Sequence, residues 1–171
     1  MMLEAQNETL AFRPVFDENS KILILGSFPS VVSRKLGFYY ANPQNRFWRV
    51  LAQIFASPLP GSKDEKINFL LSHKIAIYDA ALSCEIKGSS DANMREVTPV
   101  NLSVIFSIAG ISQVFANGAK AYEISKKFLE ADIEKATKNK IIQLPSTSSA
   151  NAKFSLQGLV SRWQVVKNFV V

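Results

Sequence analysis

The sequence predicts an α/β protein, a three-layer α/β/α sandwich around a central four-stranded parallel sheet, in one domain over residues 1–171 with the stretch 1–15 peripheral. Three observations lead there. Short continuous apolar runs closed by turn residues read as strands buried on both faces, the mark of a parallel sheet. Between them lie longer segments whose apolar residues recur at helical spacing. The two kinds alternate along the chain, with no internal repeat and no linker.

Lys21-Ile-Leu-Ile-Leu-Gly26 is the clearest strand. Asn42-Pro43 then opens a helix, with Asn42 as N-cap and Pro43 at the first helical position. Its stripe is Phe47, Val50, Leu51, Ile54 and Phe55, and Ser57–Gly61 ends it. A helix over Lys63–Ser72 precedes a second strand, Lys74–Tyr78. From Asp79 to Pro99 neither period holds, and Gly88–Asp91 marks a long loop. Leu102–Ile108 reads as helix, Gln113–Ala116 as the third strand, and Ala119–Ala131 as a lysine-rich helix. Ile141–Leu144 is the fourth strand, stopped by Pro145. Ser155 caps a last helix whose stripe is Leu156, Leu159, Val160, Trp163 and Val166.

With 47% hydrophobic and 20% charged residues, the chain has the make-up of a folded globule rather than a disordered segment. No run reaches the roughly 18 apolar residues that cross a bilayer. The start, Met1–Leu10, carries acids and no basic apolar leader, so a cytoplasmic protein is expected. The single cysteine, Cys84, excludes an internal disulfide and a cysteine-rich metal or cluster site, and the single histidine, His73, argues against a histidine-rich zinc site. No metal and no cofactor are implied. The net charge of +6 is unevenly spread: 12 of the 20 basic residues fall in two blocks, Asn19–Lys63 and Lys135–Val171, that contain no acid. Brought together, those blocks would form a face of positive potential suited to phosphates.

In open parallel sheets functional groups gather beyond the carboxyl ends of the strands. Here those positions hold LGSFPS (residues 25–30) and then GFYYANPQNRFW (37–48) after strand one, Tyr78-Asp79 after strand two, Asn117-Gly118 after strand three and LPSTSSAN (144–151) after strand four. In this order and on these strands the first, second and last motifs resemble those of hypoxanthine-DNA glycosylases, a branch of the uracil-DNA glycosylase superfamily. The NPQNRFW stretch is also similar to the superfamily's mismatch-specific branch. The resemblance covers roughly Lys21 to Trp163 and implies a uracil-DNA glycosylase-like fold.

The resemblance implies a monofunctional glycosylase, a monomer whose partner is DNA containing a deaminated base and whose product is an abasic site. No motif places a lysine as a Schiff-base nucleophile, so no lyase step is expected. The better-known branches order the attacking water with an Asp or Asn two residues after the first motif's glycine. This chain has Phe28 there, which can do no polar chemistry. Asn45 is then the family-matched residue for the water, at the start of a helix where free N–H groups and the dipole favour anions, or else a structural link that bonds the neighbouring loop. Asp79 is the alternative for that task, or a helix cap. It also stands where the superfamily reads the base: its carboxylate would accept the N–H beside a carbonyl on hypoxanthine or uracil, but would meet a lone pair on adenine N1 or cytosine N3. Phe28, Phe38, Tyr39 and Tyr40 offer faces for an extruded base, or are core side chains, with Tyr40 matching the stacking aromatic best. Asn117 belongs with the base-binding group, or only shapes a turn. Ser146, Thr147, Ser148 and Ser149 resemble the serine-rich loop that grips the target strand, and Ser30 and Ser33 could add phosphate contacts.

Other readings stay open at this point. One is a uracil or mismatch-specific glycosylase, and another is an inactive nucleic-acid-binding relative, suggested by Phe28. A nucleotide-binding α/β protein is disfavoured, since neither GxxxxGK[ST] nor GxGxxG follows strand one.

Overall fold

The computed structural model describes residues 6–9, 12–86 and 94–170. Along the chain come β1 (Gln6–Thr9), β2 (Ile22–Gly26), α1 (Val31–Leu36), α2 (Phe47–Ile54), α3 (Lys63–Ser72), β3 (Ile75–Asp79), β4 (Ala81–Ile86) and β5 (Met94–Pro99). Then follow α4 (Ser103–Phe106), β6 (Gln113–Asn117), α5 (Ala119–Phe128), α6 (Glu130–Thr137), β7 (Ile142–Leu144) and α7 (Leu156–Trp163), continued by a 3-10 helix over Gln164–Phe169.

The expected parallel sheet is present, in the order β3-β2-β6-β7. Side chains alternate across a strand, so β2 serves both layers. Ile22 and Ile24 join Phe47, Leu51, Leu70, Leu159 and Trp163, the layer of α2, α3 and α7. Leu23 and Leu25 join Leu102, Ile105, Ala121, Ile124 and Ile133, the layer of α4, α5 and α6. All four β2 residues are fully buried, which is why the run is unbroken in sequence. The chain leaves β2 toward β3 on one side and later returns to β6 on the other. The crevice between β2 and β6 is therefore the switch point where such sheets bind ligands.

Several expectations need correction. The patternless stretch after Asp79 contains β4 and β5, which with β1 form a second, antiparallel sheet in the order β1-β4-β5. Its pairing draws on β1, far away in sequence, and its ladder is irregular between Ala81 and Glu85, so no period-two signal survives locally. The loop expected at Gly88–Asp91 lies outside the described residues. The N-terminal stretch is tied to both sheets, through β1 and through paired Val15 and Ile77 backbones (3.0 Å each way).

Asn42-Pro43 does not start a helix. Asn42 Oδ1 accepts the Gln44 N–H (3.0 Å) in a tight turn, and α2 begins only at Phe47. Side-chain amides that satisfy nearby backbone N–H groups compete with helix in this way. The lysine-rich helix is divided at Leu129, whose side chain is buried in the core at the junction of α5 and α6. Ser155 does cap α7, accepting the Gly158 N–H (3.1 Å). The short helix α1 was not expected. Ser30 caps it and Gly37 ends it with φ 78°, in the left-handed region that glycine enters without penalty.

Candidate active site

Strand register brings the loop motifs together. Gly26 pairs with Asp79 across β2 and β3, and Asn117 with Leu144 across β6 and β7. Beyond these carboxyl ends lies a cavity of about 600 Å³. Every residue proposed from sequence lines it: Phe28, Ser30, Ser33, Tyr39, Tyr40, Asn45, Asp79, Asn117, Ser146, Thr147, Ser148 and Ser149. Apart from Asp79 and Asn117 its lining comes from the two acid-free blocks, which therefore do meet here. Among the described residues Asp79 is the only carboxylate in the lining and Arg34 the only basic side chain.

Asp79 is 3% exposed at the end of β3. A Cβ placed on Gly26 would run into Asp79 Oδ1 and come within 2.8 Å of the Tyr40 hydroxyl. Glycine is required here by close approach: the missing side chain is the space in which carboxylate and phenol converge. Tyr40 takes φ 50°, unusual for a bulky residue, and its ring lies 4.0 Å from that of Phe47 at 20°. Strained backbone of this kind persists where surrounding structure holds it, often at a binding site. Phe28 is 8% exposed, packed into the core cluster, with the Arg34 guanidinium 5.6 Å from its ring centre.

The neighbouring Tyr39 also lines the cavity, but most of its side chain is packed inside the protein. It is 2% exposed, its ring meets Phe12 and Phe38 edge-on, and its hydroxyl donates to Arg13 O (2.8 Å). Burial, followed by the charge of Asp79, pushes that phenol far above the ordinary tyrosine range and keeps it neutral.

Asn45 lies just before α2 rather than in its first turn. Its Oδ1 accepts the Phe47 N–H (2.9 Å) and the Thr147 hydroxyl proton (2.9 Å). Thr147 is fully buried, and both its N–H and its hydroxyl proton are donated within the protein. Asn117 brackets it: Thr147 N–H donates to Asn117 Oδ1 (3.1 Å) and Asn117 Nδ2 donates to Thr147 Oγ1 (3.0 Å). Asn117 is thus held by the loop at both ends of its amide, and still lines the cavity with one Nδ2 proton and one Oδ1 lone pair not used in these two bonds. Ser33 is likewise buried, its hydroxyl accepting the Ala41 N–H (3.2 Å), so it shapes the aromatic loop. Ser30 and Ser149 are exposed, and Ser146 and Ser148 partly so, while the hydroxyls of Ser30, Ser146 and Ser148 accept the N–H groups of Ser33 (3.1 Å), Ser148 (3.2 Å) and Ala150 (3.2 Å).

The chain from 13 to 168 matches the family model described as the uracil DNA glycosylase superfamily. The chain belongs to that superfamily. Its members are DNA glycosylases, hydrolases acting on N-glycosyl bonds. The chain is similar to a hypoxanthine DNA glycosylase of Methanosarcina barkeri (strain Fusaro / DSM 804), 32% identical over 154 residues, which cover 89% of this chain and 93% of that protein. A hypoxanthine DNA glycosylase of Methanosarcina acetivorans is 31% identical over 157 residues, 91% of this chain and 95% of that protein. A solution NMR structure of a candidate uracil DNA glycosylase from Methanosarcina acetivorans superposes with a TM-score of 0.77 at 27% identity, covering 99% of both chains.

Some residues of the candidate site escaped sequence reasoning. Arg34 enters through α1, and the signal was available: a basic residue one turn after Ser30 in an acid-free block. Arg46 is the converse case. Counted as a phosphate-seeking cation, it instead donates to the carbonyls of Thr147 (3.4 Å), Ser148 (2.8 Å), Asn151 (3.1 Å) and Phe154. Asn151 closes the same loop by donating to Ser146 O (2.9 Å). Trp163 anchors its start through Pro145 O (2.9 Å). No local pattern reveals partners so far apart in the chain.

Proposed function

We propose that this glycosylase hydrolyses the N-glycosidic bond of deaminated bases in DNA, hypoxanthine first and uracil second, leaving an abasic site without strand cleavage. The observation that carries the reading is a buried carboxylate, Asp79, in the cavity lining beside Gly26 and Tyr40. An acceptor there favours a base that presents an N–H next to a carbonyl, as hypoxanthine and uracil do, over adenine or cytosine with a lone pair at that position. Guanine shares the N–H and carbonyl, and differs from hypoxanthine only by its 2-amino group. It is the demanding control.

In this reading the nucleotide leaves the stack and its base enters against Tyr40, whose other side is backed by Phe47. Ser30, Ser146, Ser148 and Ser149 hold the flanking phosphates. Asn45 holds the water that adds to the sugar carbon as the base departs. The names of the Methanosarcina relatives support the hypoxanthine assignment. The test is a panel of oligonucleotides carrying inosine, uracil, xanthine or normal bases, followed by alkaline cleavage of abasic sites. Cleavage at inosine ahead of uracil, with guanine untouched, is expected. An intact inosine strand at enzyme excess would overturn the assignment.

A further inference from the structure

We infer that Thr147 is a positioning residue that fixes Asn45 as a pure hydrogen-bond donor and ties its aim to the serine-rich loop. The inference rests on the reading of this cavity as a glycosylase centre and adds a role to it.

Amide orientation is often ambiguous, but here the partners decide it. A backbone N–H can only donate, so the Asn117 atom that receives Thr147 N–H at 3.1 Å must be Oδ1. Asn117 then turns Nδ2 toward Thr147 Oγ1 at 3.0 Å and donates to it. The Thr147 hydroxyl has one proton, and its other contact, at 2.9 Å, is Asn45 Oδ1, so that proton goes to Asn45. At the far end Phe47 N–H, again donor only, meets the same Oδ1 at 2.9 Å. The chain of bonds is pinned by a backbone N–H at each end and runs in one direction.

Two donors fill both lone pairs of Asn45 Oδ1. What Asn45 has left for the cavity is Nδ2, with protons to give and no capacity to receive one. It therefore holds an oxygen by its lone pair, that of the water or the sugar, and is not a base. Successive donors in a buried chain polarise one another and strengthen that final N–H. Thr147 is fully buried, and its carbonyl is held by Arg46 N–H at 3.0 Å, so a shift of the strand-gripping loop would be felt at Asn45.

Three substitutions test this. Thr147→Val keeps the shape and removes the hydroxyl, whereas Thr147→Ser keeps the hydroxyl. Asn117→Asp still accepts Thr147 N–H but has no donor, so the Thr147 proton turns to the new carboxylate and away from Asn45. Single-turnover excision at saturating enzyme, DNA affinity, and the Asn45 side-chain amide NMR signal of the free protein are read for each. Thr147→Val and Asn117→Asp should slow excision roughly 10- to 100-fold, the cost of one lost buried partner. Both should displace the Asn45 amide signal, and Thr147→Val should leave DNA affinity unchanged. Thr147→Ser should stay close to wild type in rate and signal.

A Thr147→Val protein with wild-type rate and an unmoved Asn45 signal would overturn the inference. So would equal losses in Thr147→Val and Thr147→Ser. If Thr147→Val does not fold, Asn117→Asp and the NMR signal decide alone. If the wild type excises nothing from any oligonucleotide, the proposed function fails, while the NMR comparison still tests the positioning.

Discussion

Deep in the cavity one carboxylate and one phenol share the space that a side chain at position 26 would fill. Such a packed, polar centre makes single atoms count. Asp79→Asn replaces a charged acceptor with a neutral amide that must choose its orientation. Charge-assisted hydrogen bonds are about twice as strong as neutral ones, so inosine excision should fall on the order of 10-fold or more. DNA affinity should not weaken, because loss of a buried negative charge cannot harm phosphate contacts. Unchanged inosine turnover in that variant would make Asp79 a structural residue. In the proposed mechanism Asn45→Ala removes the donor that holds the water, and such groups are typically worth about 100- to 1000-fold in rate. That variant should bind inosine-containing DNA and excise it at least about 100-fold more slowly. Near-normal single-turnover excision would instead move the water to Asp79.

At the level of elements, the site depends on how a loop is fastened. The segment Ser146–Asn151 has no regular structure, yet Arg46 at the mouth of α2 ties down the carbonyls of Thr147, Ser148, Asn151 and Phe154. The planar fork of arginine meets several oxygens at once, which the single ammonium of lysine does not reproduce. Arg46→Met should therefore cost about 2–4 kcal/mol of stability, a Tm fall of roughly 5–15 °C for a domain of this size. A thermal melt within about 1 °C of wild type would show that the loop holds itself, since even 1 kcal/mol should move Tm by more than that. The same fastening explains why α2 starts late. Arg46 N–H goes to Thr147 O at 3.0 Å and Asn45 Oδ1 takes the Phe47 N–H, so the residues before Phe47 serve the site rather than the helix.

For the molecule as a whole, charge and topology converge on one edge of the sheet. The acid-free blocks supply all of the cavity lining apart from Asp79 and Asn117, and the net charge is +6. Binding driven by phosphate neutralisation releases counterions, so DNA affinity should drop at least about tenfold between 50 and 200 mM salt. A flat salt titration would remove phosphate contact as the basis of binding. No helix among the described residues is long and apolar enough to cross a membrane.

The sequence by itself determined the parallel sheet, because its strands are buried on both faces and their apolar runs need no partner to be recognised. It also determined which loops form the cavity, since parallel strands place all their carboxyl ends on one side. The first, second and last motifs therefore fall together with Asp79 and Asn117 as read from the chain. Tertiary structure alone decided which hydrogen bonds the members of that set make. Ser33, Tyr39, Asn117 and Thr147 look like ligand-facing groups by residue type, yet each also makes hydrogen bonds within the protein, and Arg46 looks like a phosphate cation yet binds carbonyls. The second sheet was equally illegible, because β4 is paired with β1 from the far end of the chain. Apolar burial is written in local periodicity. The partner of a hydrogen bond spanning 102 residues, as between Asn45 and Thr147, exists only once the chain has folded.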